Sequence, residues 1–483
     1  MSINEPDLKG DGHARQGLIL AVLAIAGTTF ALLQAIVVPA LPTIGHALRA
    51  SASETTWILT ANLLSTAVLT PILGRTGDIL GKDRVLGAVM VTLACGTLIC
   101  ALAPTLPVIL LGRAVQGAGG AIYPLAFGIV RDQFPRGRIP GAIGLVSSLV
   151  GIGAGLGLIV PGFILRDLSY HWLFWLPLAV IAATTPLTIM CVPRSPVRSS
   201  GSVNWGSAAL MATGLAGLLV AVSEATSWGW FSPRTVGLFA GAAAVVAVWV
   251  LNELHSREPL VDMRMMAARA VWTTNLAAFL LGVGMYASIA VIPALVELPR
   301  TTGFGFGGSA ISAGLFMLPT AAVQLLIGPY TGRIERRLGS RAQLQAGMVC
   351  VLVAYVALLR AHATTVEVLA PTIVLGLGLG LGLSSLANLI VAAVRQDQTG
   401  VATGVNTVMR TLGGAFGAQL ATTCITASTR HGLPTAHGFT LAFGVCTCAL
   451  IVGVVSALII PRGENGITPM RVVVAAGAAR PAR

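Results

Sequence analysis

Eight polar residues are set inside long aliphatic runs of the sequence: Gln34, Asn62, Arg113 and Gln116 early on, and Asn275, Asn388, Asn406 and Arg410 in the second half. An amide or guanidinium in apolar surroundings is costly unless it finds a partner, so each is a candidate for a functional site. Carboxylates are placed differently. Glu54, Glu224, Glu297, Asp132 and Glu253 fall at the ends of such runs, and none lies midway along one. The available chemistry is hydrogen bonding and charge recognition rather than covalent catalysis. The chain has no His-Glu-x-x-His, and a phosphate-binding loop around Gly81-Lys82 would need glycine at Thr76 and a hydroxyl residue at Asp83. The seven cysteines show no metal-ligand spacing and read as small buried hydrophobes. No metal or organic cofactor is expected.

The runs that carry these residues are the main feature of the composition. Of 483 residues 55% are hydrophobic and 10% charged, with a mean hydropathy of +0.85, too few charges to clothe soluble domains. Fourteen stretches are long enough for a helix to cross a bilayer core, near 17–38, 55–73, 85–103, 106–130, 140–164, 171–191, 206–224, 235–252, 271–296, 309–330, 345–360, 367–394, 402–424 and 438–460. The first is too long for a leader peptide and is read as a retained helix. With an even number of crossings both tails share a side. Placing them in the cytoplasm puts 22 of the 30 bases inside and only six outside, the bias that orients membrane proteins. The net charge of +13 is then a topology signal with attraction to anionic lipid, and no nucleic-acid partner is implied.

The stretches form a repeat. The segment from Gly74 to Arg84 aligns with that from Gly332 to Arg341 at an offset of 258, and Gly144, Ser147, Gly153 and Gly157 align with Gly404, Thr407, Gly413 and Gly417 at 260. The expected organisation is a tail (1–16), a six-helix bundle (17–191), a linker with two inserted helices (192–270), a second six-helix bundle (271–460) and a tail (461–483). Repeated halves around a midplane site are the architecture of alternating-access transporters.

The residues then carry a family resemblance. Gly74, Asp78, Gly81, Lys82 and Arg84 stand in a Gly-x-x-x-Asp-x-x-Gly-Lys-x-Arg pattern that resembles the signature between helices two and three of the major facilitator superfamily. Arg113-Ala114-Val115-Gln116-Gly117 resembles its fourth-helix motif. The Val37 to Pro42 segment, Trp57, the Gly404 to Gly414 pattern and the fourteen stretches look like the drug:proton antiporter branch of QacA/EmrB type. Gln34 stands near where that branch usually has Asp, and the Gly-Pro pair of its fifth-helix motif is displaced to Pro161-Gly162. The resemblance implies an all-α membrane protein of the major facilitator fold, in the cell membrane, exporting small amphipathic compounds on the proton-motive force without an obligate protein partner. A dedicated metabolite carrier and a transporter-like sensor are the alternatives.

Roles follow. By resemblance, Asp78 closes the cytoplasmic side, paired with Arg131 near the N-terminus of helix thirteen, where negative charge is favoured. The 74–84 segment is expected to be a tight reversing loop, with glycine allowing the turn. Gly151, Gly153, Gly155, Gly157 and Pro161 in helix five, and Gly413 and Gly417 in helix thirteen, are expected to permit close helix packing and rocking. Asn62 and Arg113 each lie about seven residues, or roughly 10 Å, from the outer helix ends, and Gln34 lies about four residues from its own, where the three could line one cavity. If protons are coupled, Glu297 is the first candidate and Glu224 the second. Residues 192–205 are expected inside. In a background cleared of native cysteines, Ser199→Cys should react with impermeant maleimide only from the cytoplasmic face; labelling only from outside would sink the fourteen-helix reading.

Overall fold

The computed structural model describes residues 7–430 and 433–461, with side chains left out at 7–14, 52, 53 and 310. The first six residues and the second tail, with Arg462, Arg471, Arg480 and Arg483, lie outside them. Fourteen long rods are seen among the described residues: α1 (Asp7–Ala35), α2 (Ala52–Leu80), α3 (Lys82–Leu102), α4 (Leu106–Gln133), α5 (Ile139–Asp167), α6 (Trp172–Cys191), α7 (Trp205–Trp228), α8 (Pro233–His255), α9 (Arg269–Glu297), α10 (310–338), α11 (340–360), α12 (Thr365–Ala393), α13 (Thr399–Ala427) and α14 (Ala436–Ile459). Twelve helical stretches are long and apolar enough to cross a membrane, one of them the joined α10–α11. That stretch is broken by the non-helical Gly339, at φ 80°. α13 is less apolar because several of its polar residues face protein and a cavity rather than lipid.

Local chemistry fixes the helix starts. Ser51 and Glu54 form a reciprocal capping box at the start of α2, as do Thr364 and Glu367 on α12, while Asn204 and Ser232 cap α7 and α8. Each cap satisfies backbone N–H groups that the helix leaves unpaired. Glu54 is thereby a helix-capping residue.

Two expectations are corrected. The 74–84 segment is not a loop: α2 remains helical to Leu80, and only Gly81, at φ 110°, breaks the chain before α3 begins at Lys82. The polar residues stay helical because each finds a partner, Asp78 among them. Helix one is also displaced, running Asp7–Ala35 rather than 17–38, and a short helix Leu41–Leu48 follows.

The repeat is visible in the backbone. Gly81 and Gly339, 258 positions apart, both take the positive φ that side chains resist. Gly153 and Gly157 of α5 press on α1, where a Cβ at 157 would lie 2.9 Å from Ile36 N. Gly413 and Gly417 of α13 press in the same way on α9, and a Cβ at 417 would lie 2.5 Å from Val283 O. The interleaved Gly151 and Gly155 face Gln324 and Ala321 of α10, across the boundary between halves. Pro161 is buried on α5 near its far end.

One buried core is built mainly from α1–α6 and another mainly from α9–α14. The inserted α7 joins smaller clusters between them, Met211 with Ile72 and Val401, and Leu219 with Ala67, Val408 and Leu412. α8 lies outermost, with only 11% of its apolar window covered.

Gly417→Val should cost about 1–3 kcal/mol by overpacking. Gly237→Val on α8, where a Cβ would meet nothing within 4 Å, should be close to neutral. Thermal unfolding in detergent reads both, and equal melting temperatures would refute the packing assignment.

Candidate functional site

Two features lie between the halves: a closed polar cluster at the end that carries Gly81 and Gly339, here the basic end, and a cavity in the opposite half.

The cluster grips the α12–α13 turn. Asp78, fully buried near the end of α2, accepts from Gly400 N at 3.0 Å and Val401 N at 2.9 Å. These are free donors of the first turn of α13, so the carboxylate sits where both the hydrogen bonds and the helix dipole favour it. α2 comes close enough because Gly74 meets Gly400; a Cβ on Gly74 would lie 2.5 Å from the Gly400 carbonyl oxygen. Lys82, also fully buried, places Nζ 3.9 Å from Asp78 and 2.8 Å from Asp132. Asp132 in turn accepts from Gln396 at 3.0 Å.

The expected Asp78–Arg131 ion pair does not form. Arg131 instead donates to Val394 O at 2.9 Å, Arg395 O at 3.2 Å and Thr399 Oγ1 at 2.6 Å. A guanidinium suits the carbonyls that end α12 as a carboxylate suits the N–H groups that begin α13, so the two side chains divide the turn between them. Lys82, one helical turn after Asp78, takes the pairing role. Arg84 is exposed and outside the cluster.

The 192–204 linker fastens this end from below. Ser199 N donates to Asp78 O at 2.6 Å, Arg75 donates to Ser199 Oγ at 2.8 Å, and Lys82 N donates to Ser195 Oγ at 3.1 Å. Ser202 donates through its hydroxyl and its backbone N–H to Glu258, which holds that exposed carboxyl below its ordinary range.

The cavity has a volume of about 280 Å³ and is lined by α1, α2, α4, α5, α7, α9 and α13. Gln34, Asn62, Arg113 and Arg410 all line it, bringing together four residues chosen from sequence. Arg113 is nonetheless only 1% exposed. Its guanidinium donates to Leu33 O and Ile58 O, each at 3.1 Å, and to Gln116 Oε1 at 2.9 Å, while Asn62 donates to Arg113 O at 3.1 Å. It binds α1, α2 and α4 to one another. Gln116 is buried, donating to Thr97 at 3.0 Å.

The remaining candidates lie elsewhere. Asn406 donates to Asn275 at 2.9 Å between α13 and α9. Asn388 reaches Glu335 Oε2 at 2.5 Å and Pro140 O at 3.4 Å. Glu297 is exposed at the end of α9, and Glu224 accepts from Ser227 at 2.7 Å at the end of α7. Neither lines the cavity.

A model of the Major Facilitator Superfamily matches residues 23–418. The chain belongs to that superfamily. Among relatives within it, an uncharacterized transporter of this type from Mycobacterium tuberculosis is 29% identical over 83% of this chain. The chain spans 58% of that protein's length. The multidrug transporter MdtP of Bacillus subtilis is 26% identical over 84% of this chain and 74% of its own. The tetracenomycin C resistance and export protein of Streptomyces glaucescens is 25% identical over 82% and 74%. The human organic anion transporter MFSD10 shares the fold, with a TM-score of 0.64 at 15% identity over 91% of this chain and 99% of its own.

For a superfamily member, four contributors were missed from sequence. Glu335 was hidden because the 258 offset sets it against Gly77, one place short of Asp78. Tyr123 and Tyr286 carry no distinguishing spacing, yet both line the cavity. Ser223 sits on an inserted helix that the repeat left out, and it contacts Thr60 of α2 at 3.1 Å.

Asp78→Asn removes the charge facing α13 and leaves Lys82 short of a partner. Thr403, buried just beyond the cluster, reports the result. Thr403→Cys should react with maleimide at least tenfold faster when combined with Asp78→Asn than alone, and an unchanged rate would show that Asp78 does not hold this end shut.

Proposed function

We propose that this chain is a secondary active exporter of small amphipathic compounds, working by alternating access in the cell membrane with both tails in the cytoplasm and fourteen crossings. The observation that carries the reading is one apolar cavity enclosed between two repeated halves, with polar groups at a few points and the basic end tied shut. Such an arrangement is one of two states of a carrier: cargo space at the midplane, a closed side and a side free to release. The basic bias makes the closed side the cytoplasmic one.

The named relatives support drug or antibiotic export. Lincomycin resistance, multidrug and tetracenomycin C proteins all fall at 25–28% identity, and this range does not favour a carrier for a single metabolite. The proton-motive force is the proposed energy source. Among the residues lining the cavity none is Asp or Glu, so coupling would pass through carboxylates outside it. Glu297 and Glu224 remain the proposed candidates, at the mouth end.

Export is tested in everted vesicles energised by respiration: several structurally unrelated compounds should accumulate and compete, and an uncoupler should abolish uptake. Absence of uptake for every compound would overturn the reading. In the same assay, Asp78→Asn and Arg131→Ala should lower turnover at least tenfold while changing substrate affinity by less than threefold, since neither residue touches the cavity. A conformational bias of a few kcal/mol is sufficient for such an effect. Wild-type turnover in either variant would remove it from the gate.

A further inference from the structure

Two arginines lie deep in the helices, and the structure treats them differently. Arg113 is enclosed and its guanidinium is offered three oxygen acceptors. Arg410 is half-buried, lines the main cavity and a small void beneath it, and has as its only described partner the Met285 sulfur at 4.0 Å. The residues that line these two spaces beside it include Tyr123 from α4, Ser147 and Val150 from α5, Met285 and Tyr286 from α9 and Leu386 from α12. None carries negative charge. The repeat sharpens the contrast: at the offset of 260, Arg410 and Gly414 correspond to Val150 and Ala154, and all four line the cavity. One wall is therefore apolar where its counterpart bears a full charge.

We infer that Arg410 is the charge-selecting residue of the cavity, and that the preferred cargo is an amphiphile with one anionic group, a sulfonate, carboxylate or phenolate, rather than an organic cation. The inference deepens the export reading and rests on it for the word cargo. A guanidinium that lacks a protein counter-ion supplies an anion with two parallel donors and a formal charge. The attraction grows as the local dielectric falls, and the apolar lining lowers it. The same charge repels a cation, and no acid is present to offset it. Gln34 on the α1 wall has no hydrogen-bond partner among the described residues, so its amide is free to meet a second polar point of the ligand. The rest of the ligand faces aliphatic and aromatic side chains.

Tetraphenylborate and tetraphenylphosphonium differ in the sign of charge and little else. Their affinities for the purified full-length chain, measured by titration calorimetry in one detergent, give a ratio in which membrane-like partitioning cancels between variants. The ratio favouring the borate should fall at least tenfold in Arg410→Gln, about 1.4 kcal/mol, and be retained in Arg410→Lys. Ala154→Asp, which sets an acid on the opposite wall, should lower it as well and serves if Arg410→Gln does not fold. A ratio equal in wild type and Arg410→Gln, or unchanged by Ala154→Asp, would overturn the assignment, as would a wild type that prefers the phosphonium. A ratio that behaves as expected, without uptake of either ion by everted vesicles, supports the site and overturns the export reading instead.

Discussion

The structure depends on how the first half holds the turn between α12 and α13. Asp78 meets the N–H groups that open α13, Arg131 meets the carbonyls that close α12, and Asp132 holds Gln396 between them. Every one of these contacts crosses from one half of the repeat to the other. Asp78 and Lys82 are fully buried and Arg131 is half-buried, and a buried charge that loses its partner is penalised far more than a pair gains by forming. Opening this end must therefore release the three sets together and admit water to solvate them. That is the condition for two discrete states rather than a continuous range of openings.

The repeat and its glycine spacing were legible in the sequence because they are backbone requirements. Gly81 and Gly339 both take a positive φ, and the paired glycines of α5 and α13 press on α1 and α9 alike. The polar partners were less legible. Arg131 and Asp78 belong to one cluster, but which atoms meet depends on where the ends of α12 and α13 point, and the family resemblance alone implied an ion pair. The 74–84 segment shows the same limit: its glycines and charges read as a loop, whereas partners supplied by α13 and the 192–204 linker keep it helical. Glu335 escaped notice because pseudo-symmetry is kept by the backbone and not by the position of the acid. It reaches the opposite half through Asn388, which contacts Pro140 O at the start of α5.

The cavity divides in the same way. Depth along the helices was enough to bring Asn62 and Arg113 to one wall, whereas Gln34 reaches it from the last turn of α1, which ends at Ala35. Periodicity could not say which guanidinium would be consumed by carbonyls and which would face open space. That distinction arises from neighbouring backbones: α1 and α2 present Leu33 O and Ile58 O to Arg113, whereas α9 presents a thioether to Arg410.

The line of small residues between α5 and α10 has a mechanical consequence. Gly141 meets Gly332 at the basic end, Gly151 and Gly155 face Gln324 and Ala321 farther along, and Gly162 faces Ile311 near the other end. With one face lacking side chains there are few ridges to lift out of grooves, so under the proposed alternating access this seam is where the two halves would turn against each other. Under the same mechanism the resistance to turning would come from the polar contacts at the α12–α13 turn. The glycine seam would serve as the axle and the polar turn as the catch.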